Sequence, residues 1–444
     1  MNKSMSIRGL KTSVAVVAVA ASMGAVLNSD AEAGAFALRE QSSVGQGASF
    51  AGVAAGTSLS SVYWNPATLT QIPGINTESV FSVVMPDTDV KNVTLGAGSA
   101  ANLSAFVNGT NPGAVGLDAA IPASYASAQI TDDLFFGLSV NAPYGMATKA
   151  NNPSQSSFHA ATSKIFTTDI KANIAYRIND VFSVGAGLGA TYAKVRMTSV
   201  PNPMSSAGYE LQGDGWSPTW SIGMTIKPVE GTEIGIGYRS ATFVKFKGTE
   251  YFGAGVVASV PALTAKTDVT TNVDFPDVVT VGLKQKITDK FRVLAGFEWT
   301  NWSLAKSASP INGSLLGSSL LLGYEDSWYA SLGGEYDWNE NLTLRTGIGV
   351  EKSPIPDEHR NLRLPDADRV WASLGASYQV TDKIGIDVAY SHLFIEDAEV
   401  KASNSYASYA ADTSSSANIV SASLRYQWKP EPLFANDEPF ERKY

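Results

Sequence analysis

After residue 75 the sequence alternates large apolar residues with small or polar ones, in one segment after another. One segment places its apolar residues at every second position: Phe182, Val184, Ala186, Leu188, Ala190 and Tyr192. A period of two is that of a β-strand. The segments are about 9 to 15 residues long, roughly the length that a tilted strand needs to cross a bilayer. We therefore predict an all-β chain whose strands present one face to lipid and the other to a lumen.

The connections between these segments fall into two classes. Six are very short and rich in turn-forming residues: 131–133, 179–180, 228–231, 288–290, 338–341 and 381–383. Longer polar connections alternate with them, near 87–118, 145–163, 196–212, 248–269, 304–323, 353–367 and 397–414. Short periplasmic turns and long external loops are typical of outer-membrane proteins. The sequence thus predicts an antiparallel transmembrane β-barrel of about fourteen strands over residues 75–428, closed because an open edge in hydrocarbon would leave backbone groups unpaired.

The N-terminus indicates secretion. Basic residues precede an apolar run over residues 14–27, and Ala31 and Ala33 form an A-x-A cleavage pattern. We predict a signal peptide over residues 1–33, removed on export to the outer membrane of a Gram-negative bacterium. A membrane anchor is the alternative, but the run is short and a small-residue cleavage site follows it.

Composition argues against several classes of protein. The chain has no cysteine and three histidines, His159, His359 and His392, of which the first two fall in predicted external loops. No Ser-His-acid triad or metal cluster can be drawn from them, so we expect no enzyme, no metal and no cofactor. The net charge of -9 includes no long basic tract, so nucleic acid is not an expected partner. A general diffusion porin, an outer-membrane lipase and an adhesive protein remain alternatives.

Two terminal segments do not fit the alternation. Residues 34–74 are rich in Gly, Ala and Ser. They have too few large side chains to face lipid in the wall, and they are too apolar for a free tail. We predict that they form a hatch inside the lumen, with a flexible linker as the alternative. Residues 429–444 follow the last aromatic strand end at Trp428 and are predicted to be a periplasmic tail.

Several motifs resemble the long-chain fatty acid transporter family of outer-membrane proteins. The start of the hatch carries Gly34, Phe36, Leu38, Glu40, Ser42, Gly45, Gly47, Ala48 and Gly52. Asn65-Pro66-Ala67 follows, and Pro143 to Thr148 looks like the third strand of the family. Residues 343–356, 364–366, 368–369 and 371–375 look like its late strands and the loop between them. The resemblance implies a fourteen-stranded barrel with an N-terminal hatch.

The resemblance also implies a mechanism. Members of the family capture a hydrophobic ligand at the external loops, hold it in a pocket against the hatch and release it sideways through an inward kink in strand three. Here the kink would be Pro143, Tyr144, Gly145, Met146 and Ala147, although an ordinary strand end is the alternative. Phe36 and Leu38 would line the pocket. Asn65, Pro66 and Ala67 would gate the hatch opposite the kink, unless Asn-Pro merely begins a turn.

The candidate ligand contacts in the sequence allow more than one class of hydrophobic ligand. Apolar residues on otherwise polar loops suggest a capture surface, or equally a self-packed lid: Phe106, Val107, Leu315, Leu316, Leu320 and Leu321. Lys194 and Arg196 could pair with a carboxylate. Ser199 stands near the position where the family would have a pocket arginine, which leaves neutral aromatic hydrocarbons or other xenobiotics as alternatives to fatty acids. The expected partners are a hydrophobic small molecule and outer-membrane lipid, and the family suggests a monomer.

Overall fold

The computed structural model describes residues 35–95, 112–150, 156–200, 208–253, 264–306, 309–314, 319–403 and 408–434. Several predicted features lie outside these residues: the signal peptide 1–33, the end of the tail after Phe434, and the capture residues Phe106, Val107, Leu315 and Leu316. In the part of the chain that is described, no helix is long and apolar enough to cross a membrane.

Strands make up most of the described chain. In chain order they are β1 (Ile75–Leu95), β2 (Ala119–Gln129), β3 (Leu134–Asn141), β4 (Gly145–Lys149), β5 (Thr162–Arg177), β6 (Phe182–Ser199), β7 (Tyr209–Ile226), β8 (Thr232–Arg239), β9 (Thr242–Phe252), β10 (Ala265–Phe275), β11 (Val278–Lys286), β12 (Phe291–Thr300), β13 (Ser309–Pro310), β14 (Ser319–Leu320), β15 (Ser327–Asp337), β16 (Leu342–Glu351), β17 (Arg369–Thr381), β18 (Ile384–Ile395), β19 (Ala398–Ser403) and β20 (Ser408–Lys429).

These strands form a closed antiparallel barrel of fourteen, which confirms the predicted fold class. Four wall strands are interrupted and consist of the pairs β3 and β4, β8 and β9, β10 and β11, and β18 and β19. β13 and β14 pair only with each other, in an external loop. β1 closes the wall against β20, from Ile75 opposite Lys429 to Leu95 opposite Tyr409. The strands therefore reach well into segments that the sequence predicted as loops.

The alternation of the sequence determines the two faces of the wall. On β18 the outward Val388 and Phe394 are about half exposed, whereas the inward Asp387 and Ser391 are buried. Outward aromatic residues cluster at the periplasmic ends of the strands, among them Trp338 and Tyr378, as expected for an interfacial girdle. Apolar outward faces and polar inward faces are what a barrel in hydrocarbon requires.

Residues 35–74 fill the lumen as the hatch. It contains one short helix, α1 (Ser43–Gly47), and 3₁₀ turns at Val53–Ala55, Leu59–Tyr63 and Pro66–Gln71. The Ser42 hydroxyl caps α1 by accepting from Gly45 N at 3.0 Å. Nearly every residue from 35 to 70 is buried, which places the hatch in the interior of the barrel rather than beside it.

Glycines on the inner face of the wall let the hatch lie against the strand backbones. A Cβ atom at Gly235 of β8 would stand 1.7 Å from the carbonyl oxygen of Ala54, and one at Gly347 of β16 would stand 2.2 Å from the carbonyl carbon of Ala48. No side chain fits at either distance, so these strand glycines mark close backbone approach. The hatch is therefore packed directly on the wall.

Candidate ligand cavity and wall window

The third strand of the wall has a window on its β2 side. β2 and β3 pair from Gln129 opposite Phe135 up to Ser124 opposite Val140, where the ladder stops. Contact resumes higher up, where Lys149 N donates to the Val115 carbonyl at 2.9 Å. Between these points, no ladder joins residues 117–123 to residues 141–147 within the described chain. A stretch about seven residues tall, on the order of 20 Å, therefore lacks strand pairing in the wall, and we call it the window.

Prolines lie on both edges of this window. Pro122 belongs to the part of β2 that pairs with β1 but not with β3, and Pro143 lies in the break between β3 and β4. Neither residue has an N–H to donate to a ladder, so a continuous pairing here would be incomplete in any case. The break at residues 142–144 overlaps the segment 143–147 that was predicted as the kink, whose role as an opening stays a prediction. No sequence pattern had singled out Pro122.

The start of the hatch lies across the window from the inside. Leu38 N donates to the Pro143 carbonyl at 2.9 Å, and Gly145 N donates to the Phe36 carbonyl at 2.8 Å. Ala37 forms an antiparallel bridge with Tyr144. A Cβ atom on Gly145 would stand 2.9 Å from the Leu38 side chain. The hatch therefore supplies hydrogen bonds that the interrupted strand lacks.

Side chains complete the hydrogen bonding at the lower edge of the window. Gln41 donates from Nε2 to the Ala142 carbonyl at 2.8 Å and accepts from Asn141 Nδ2 at 3.1 Å. The Tyr125 hydroxyl donates to the Gln41 carbonyl at 2.8 Å. All of these residues are buried, and buried backbone groups need such partners. Gln41 is a positioning residue that no sequence pattern singled out.

A cavity of about 770 Å³ lies above the hatch, on the external side of the window. Its size is within the range of about 300–1,000 Å³ that is typical of small-molecule sites. Phe36 and Met146 contribute from the hatch and from β4. Apolar side chains from the wall and the external loops make up much of the rest: Ile165, Met197, Leu211, Ile311, Leu320, Leu321, Leu322, Ile355 and Leu364.

Phe36 stands at the base of the cavity inside an aromatic cluster. Its ring centroid lies 4.7 Å from that of Trp302, 5.8 Å from that of Phe275 and 6.2 Å from that of Tyr144. The Tyr144 hydroxyl donates to the Pro276 carbonyl at 2.9 Å. Edge-to-face contacts of this kind hold the rings in place. Of the two predicted pocket residues, Phe36 lines the cavity, whereas Leu38 packs against Gly145.

Arg363 is the cation best placed to meet an acidic ligand in this cavity. It lies in the loop between β16 and β17, and it donates to Ser163 Oγ at 3.0 Å and to the His159 carbonyl. Among the described residues, no carboxylate lies within ion-pair distance of its guanidinium. Burial lowers the pKa of Arg363 to about 10, because removing the charge from water is not offset by an anion. The site therefore favours a negatively charged group.

His159 does not share this role. Its side chain also borders the cavity, but burial, together with the nearby charge of Arg363, lowers the pKa of His159 to about 3. The imidazole is therefore neutral at any physiological pH. Arg363 was not predictable from the sequence, because a residue in an irregular loop carries no periodicity that would show which way it faces.

The structure does not bring Lys194 and Arg196 to the cavity, which differs from the sequence prediction. Both side chains are exposed on the outer face of β6, and Arg196 forms an ion pair with Glu210 at 3.1 Å. The inward residues of this stretch are Ala193 and Met197. Side chains of a strand alternate between faces, so a ligand inside the barrel cannot reach either cation.

Asn65, Pro66 and Ala67 also lie away from their predicted position opposite the kink. Asn65 caps the Pro66–Gln71 turn, and its Nδ2 donates to the Ala54 carbonyl at 2.7 Å and to the Met224 carbonyl at 3.0 Å. Ala67 touches Gly185, which pairs with Ala175 of β5. Gly145 of the kink pairs with Phe166, which lies nine residues before Ala175 on β5. That separation is about 30 Å, so the tripeptide holds the periplasmic end of the hatch.

The predicted capture residues divide into two groups. Leu320 and Leu321 line the cavity, and Leu321 remains about half exposed. The other four lie outside the described residues.

Ion pairs fix the start of the hatch to the wall. Arg39 pairs with Glu298 of β12 at 2.9 Å and with Glu351 of β16, and its guanidinium lies 4.2 Å from the centre of the Tyr329 ring. Ala35 N donates to Asp366 Oδ2 at 3.0 Å. All of these groups are buried, so each charge depends on its partner.

Comparison with known proteins identifies the family. The family model described as outer membrane protein transport protein (OMPP1/FadL/TodX) matches residues 24–428. The chain belongs to this family. It is thus an outer-membrane protein of a family that transports hydrophobic substrates. The predicted resemblance to this family is therefore confirmed.

Individual relatives support this placement. A long-chain fatty acid transport protein of Salmonella typhi is 25% identical over 416 residues, covering 85% of this chain and 91% of that protein. A solved FadL homologue of Pseudomonas aeruginosa superposes with a TM-score of 0.79 at 22% identity, covering 89% of this chain and all of that one. The toluene transporter TbuX of Ralstonia pickettii gives a TM-score of 0.63 at 19% identity, covering 87% and 99%. At these identities the two structures indicate the fold alone.

Proposed function

We propose that the protein carries long-chain fatty acids across the outer membrane by capture in the cavity above the hatch and sideways release through the window beside β4. The observation that carries this proposal is Arg363. Arg363, which has no carboxylate partner among the described residues, borders a cavity that combines apolar side chains with polar ones, among them Glu358 and Lys401. An alkyl chain with one carboxylate matches both properties.

The apolar lining supports a long-chain ligand. Each methylene group removed from water contributes about 0.8 kcal/mol, so a chain that fills the cavity is held mainly by its length. The carboxylate then sets the orientation, because a charge-assisted hydrogen bond to a guanidinium is directional. We infer that the carboxylate lies near Ser163 and Arg363 and the alkyl chain points towards Phe36 and Met146.

Release through the window has a physical rationale. The hatch is packed on glycines of the inner wall, and its Arg39 ion pairs are buried, so an open axial channel would require extensive repacking. The window needs only local rearrangement of residues 35–38 and 143–145. A ligand that leaves there enters the hydrocarbon directly and never rehydrates its chain.

Binding by a panel of ligands tests the proposal. The detergent-purified protein is titrated with a fluorescent fatty acid, which is then displaced by palmitate, by hexadecanol and by toluene. We expect palmitate to compete more strongly than hexadecanol of the same chain length, because only palmitate pairs with Arg363. Equal competition by both would remove the support for a carboxylate ligand.

Uptake of neutral aromatic hydrocarbons is the second candidate. The fold similarity to a toluene transporter and the aromatic cluster around Phe36 favour it. Displacement by toluene alone in the same panel would select this function. Large steady conductance of the purified protein in planar bilayers would instead indicate a general diffusion porin.

A further inference from the structure

The outer face of the barrel carries a cluster of cations at its external end. We call Lys194 and Arg196 of β6 with Lys245 and Lys247 of β9 the outer basic surface. All four side chains are exposed on the face that the wall turns towards the membrane. In the register of the sheet, Lys194 lies opposite Asp214 of β7, and Asp214 lies opposite Lys247. The cations on β6 and β9 are thus two strand spacings apart, about 10 Å.

Three of these cations have no ionic partner among the described residues. Arg196 pairs with Glu210, but no carboxylate lies within 4.0 Å of the ammonium groups of Lys194, Lys245 or Lys247. Asp214 lies between Lys194 and Lys247 in the sheet, but its carboxylate is not within 4.0 Å of either ammonium group. Like charges held on neighbouring strands repel each other unless an anion compensates them.

Large apolar side chains lie directly below this surface, nearer the middle of the membrane. Trp216 and Phe243 are each 61% exposed, and the ring centroid of Tyr192 lies 5.2 Å from that of Trp216. The outer wall here therefore presents an apolar area, and a row of cations lies next to it on the external side. An amphiphile with acyl chains and an anionic headgroup has the same arrangement.

Other lysines at the external end of the described chain differ in this respect. Lys91 lies 3.4 Å from Asp89, Lys306 lies 3.9 Å from Glu325, and Lys352 lies 3.1 Å from Asp368. Each of these charges is compensated by the protein itself. Lys149 of β4 and Lys266 of β10 are likewise exposed with no carboxylate within 4.0 Å among the described residues, but the sector formed by β6, β7 and β9 brings three such lysines together.

We propose that the outer basic surface binds the phosphorylated headgroup of a glycolipid in the external leaflet, with the acyl chains against Trp216 and Phe243. Phosphate oxygens accept strongly from lysine and arginine, and basic side chains near the membrane surface attract anionic headgroups. Such a lipid would hold the barrel at a fixed depth. The binding does not depend on which ligand the cavity carries.

Lipid binding by charge-matched variants tests this proposal. The full-length protein and the variant K194Q/K245Q/K247Q are titrated in detergent with bisphosphorylated lipid A and followed by native mass spectrometry. K91Q/K306Q/K352Q is the control, because it removes the same charge from lysines that are paired with carboxylates. We expect the first variant to bind lipid A roughly a hundredfold more weakly, and the control to bind like the wild type.

A second arm uses lipid A from which both phosphates have been removed, and it should bind the wild type as weakly as bisphosphorylated lipid A binds the triple variant. Heat-modifiable migration on gels verifies that each variant is folded. Equal affinity of the two triple variants for lipid A, or an affinity of the wild type that does not change on dephosphorylation, would overturn the proposal.

Discussion

The backbone N–H of Leu38 donates a hydrogen bond of 2.9 Å to the carbonyl of Pro143, which joins the hatch to the interrupted third strand of the wall. The bond from Gly145 N to the Phe36 carbonyl completes the pairing. In a membrane every backbone group needs a partner, so a wall can leave a window only where something else satisfies its edges. Here the hatch does so for the edge formed by residues 142–145, and the same contact places Phe36 at the base of the cavity.

Gly145→Ile tests the window. A Cβ atom at this position already stands 2.9 Å from Leu38, and a branched side chain would fill the space between the hatch and β4. We expect fatty acid uptake by cells to fall several-fold while binding to the purified protein changes little, because the cavity lies above the obstruction. Gly208→Ile is the matched control, since no heavy atom would approach its Cβ within 4 Å. Unchanged uptake by a correctly inserted Gly145 variant would argue against sideways release.

Arg39→Ala tests the attachment of the hatch. The substitution leaves Glu298 buried without its cation and Glu351 with Arg369 alone, 3.8 Å away, and breaking a buried ion pair costs about 3–5 kcal/mol. The start of the hatch should detach from the wall, and the conductance of the protein in planar bilayers should rise and fluctuate. Arg196→Ala is the control, because that exposed arginine lies on the outer face. A conductance trace identical to that of the wild type would mean that other contacts hold the hatch.

The architecture was predictable because period two and turn length depend on local sequence. Residues 182–192 and the six short turns were enough to give the strand number and the faces of the wall. The same alternation, continued from Tyr192, places Lys194 and Arg196 on the outward face of the strand, two and four positions later. Their assignment to a ligand carboxylate came from their position near a loop, and the alternation should have taken precedence.

The contacts that form the site were harder to predict from the sequence than the fold. Arg363 reaches Ser163 across 200 positions of the chain, and only the closed barrel brings the two together. The pairing of residues 35–38 with the kink likewise depends on where the hatch enters the lumen. Strand glycines such as Gly235 and Gly347 did carry a signal, because a glycine on the inner face of a strand marks close backbone approach.

Asn65→Ala separates an anchoring role from a gating role. The side chain caps the Pro66–Gln71 turn and donates to two buried carbonyls, so its loss should cost about 1 kcal/mol for the cap alone. We expect the midpoint of thermal unfolding to fall while uptake per folded molecule stays unchanged, since the window lies at the other end of the hatch. Loss of uptake at unchanged thermal stability would restore a gating role for the tripeptide.

Arg363→Gln tests the carboxylate partner. The glutamine keeps a hydrogen-bond donor for Ser163 but removes the positive charge, and a hydrogen bond to a charged group contributes about 1.5–3 kcal/mol. Palmitate should therefore bind roughly ten- to a hundredfold more weakly, while hexadecanol, which has the same chain length and no charge, should bind as before. Lys194→Gln removes a cation from the outer face and should affect neither ligand. If palmitate and hexadecanol lose affinity equally in the Arg363 variant, the residue shapes the cavity but does not bind the carboxylate. A neutral hydrophobic molecule would then be the better candidate substrate.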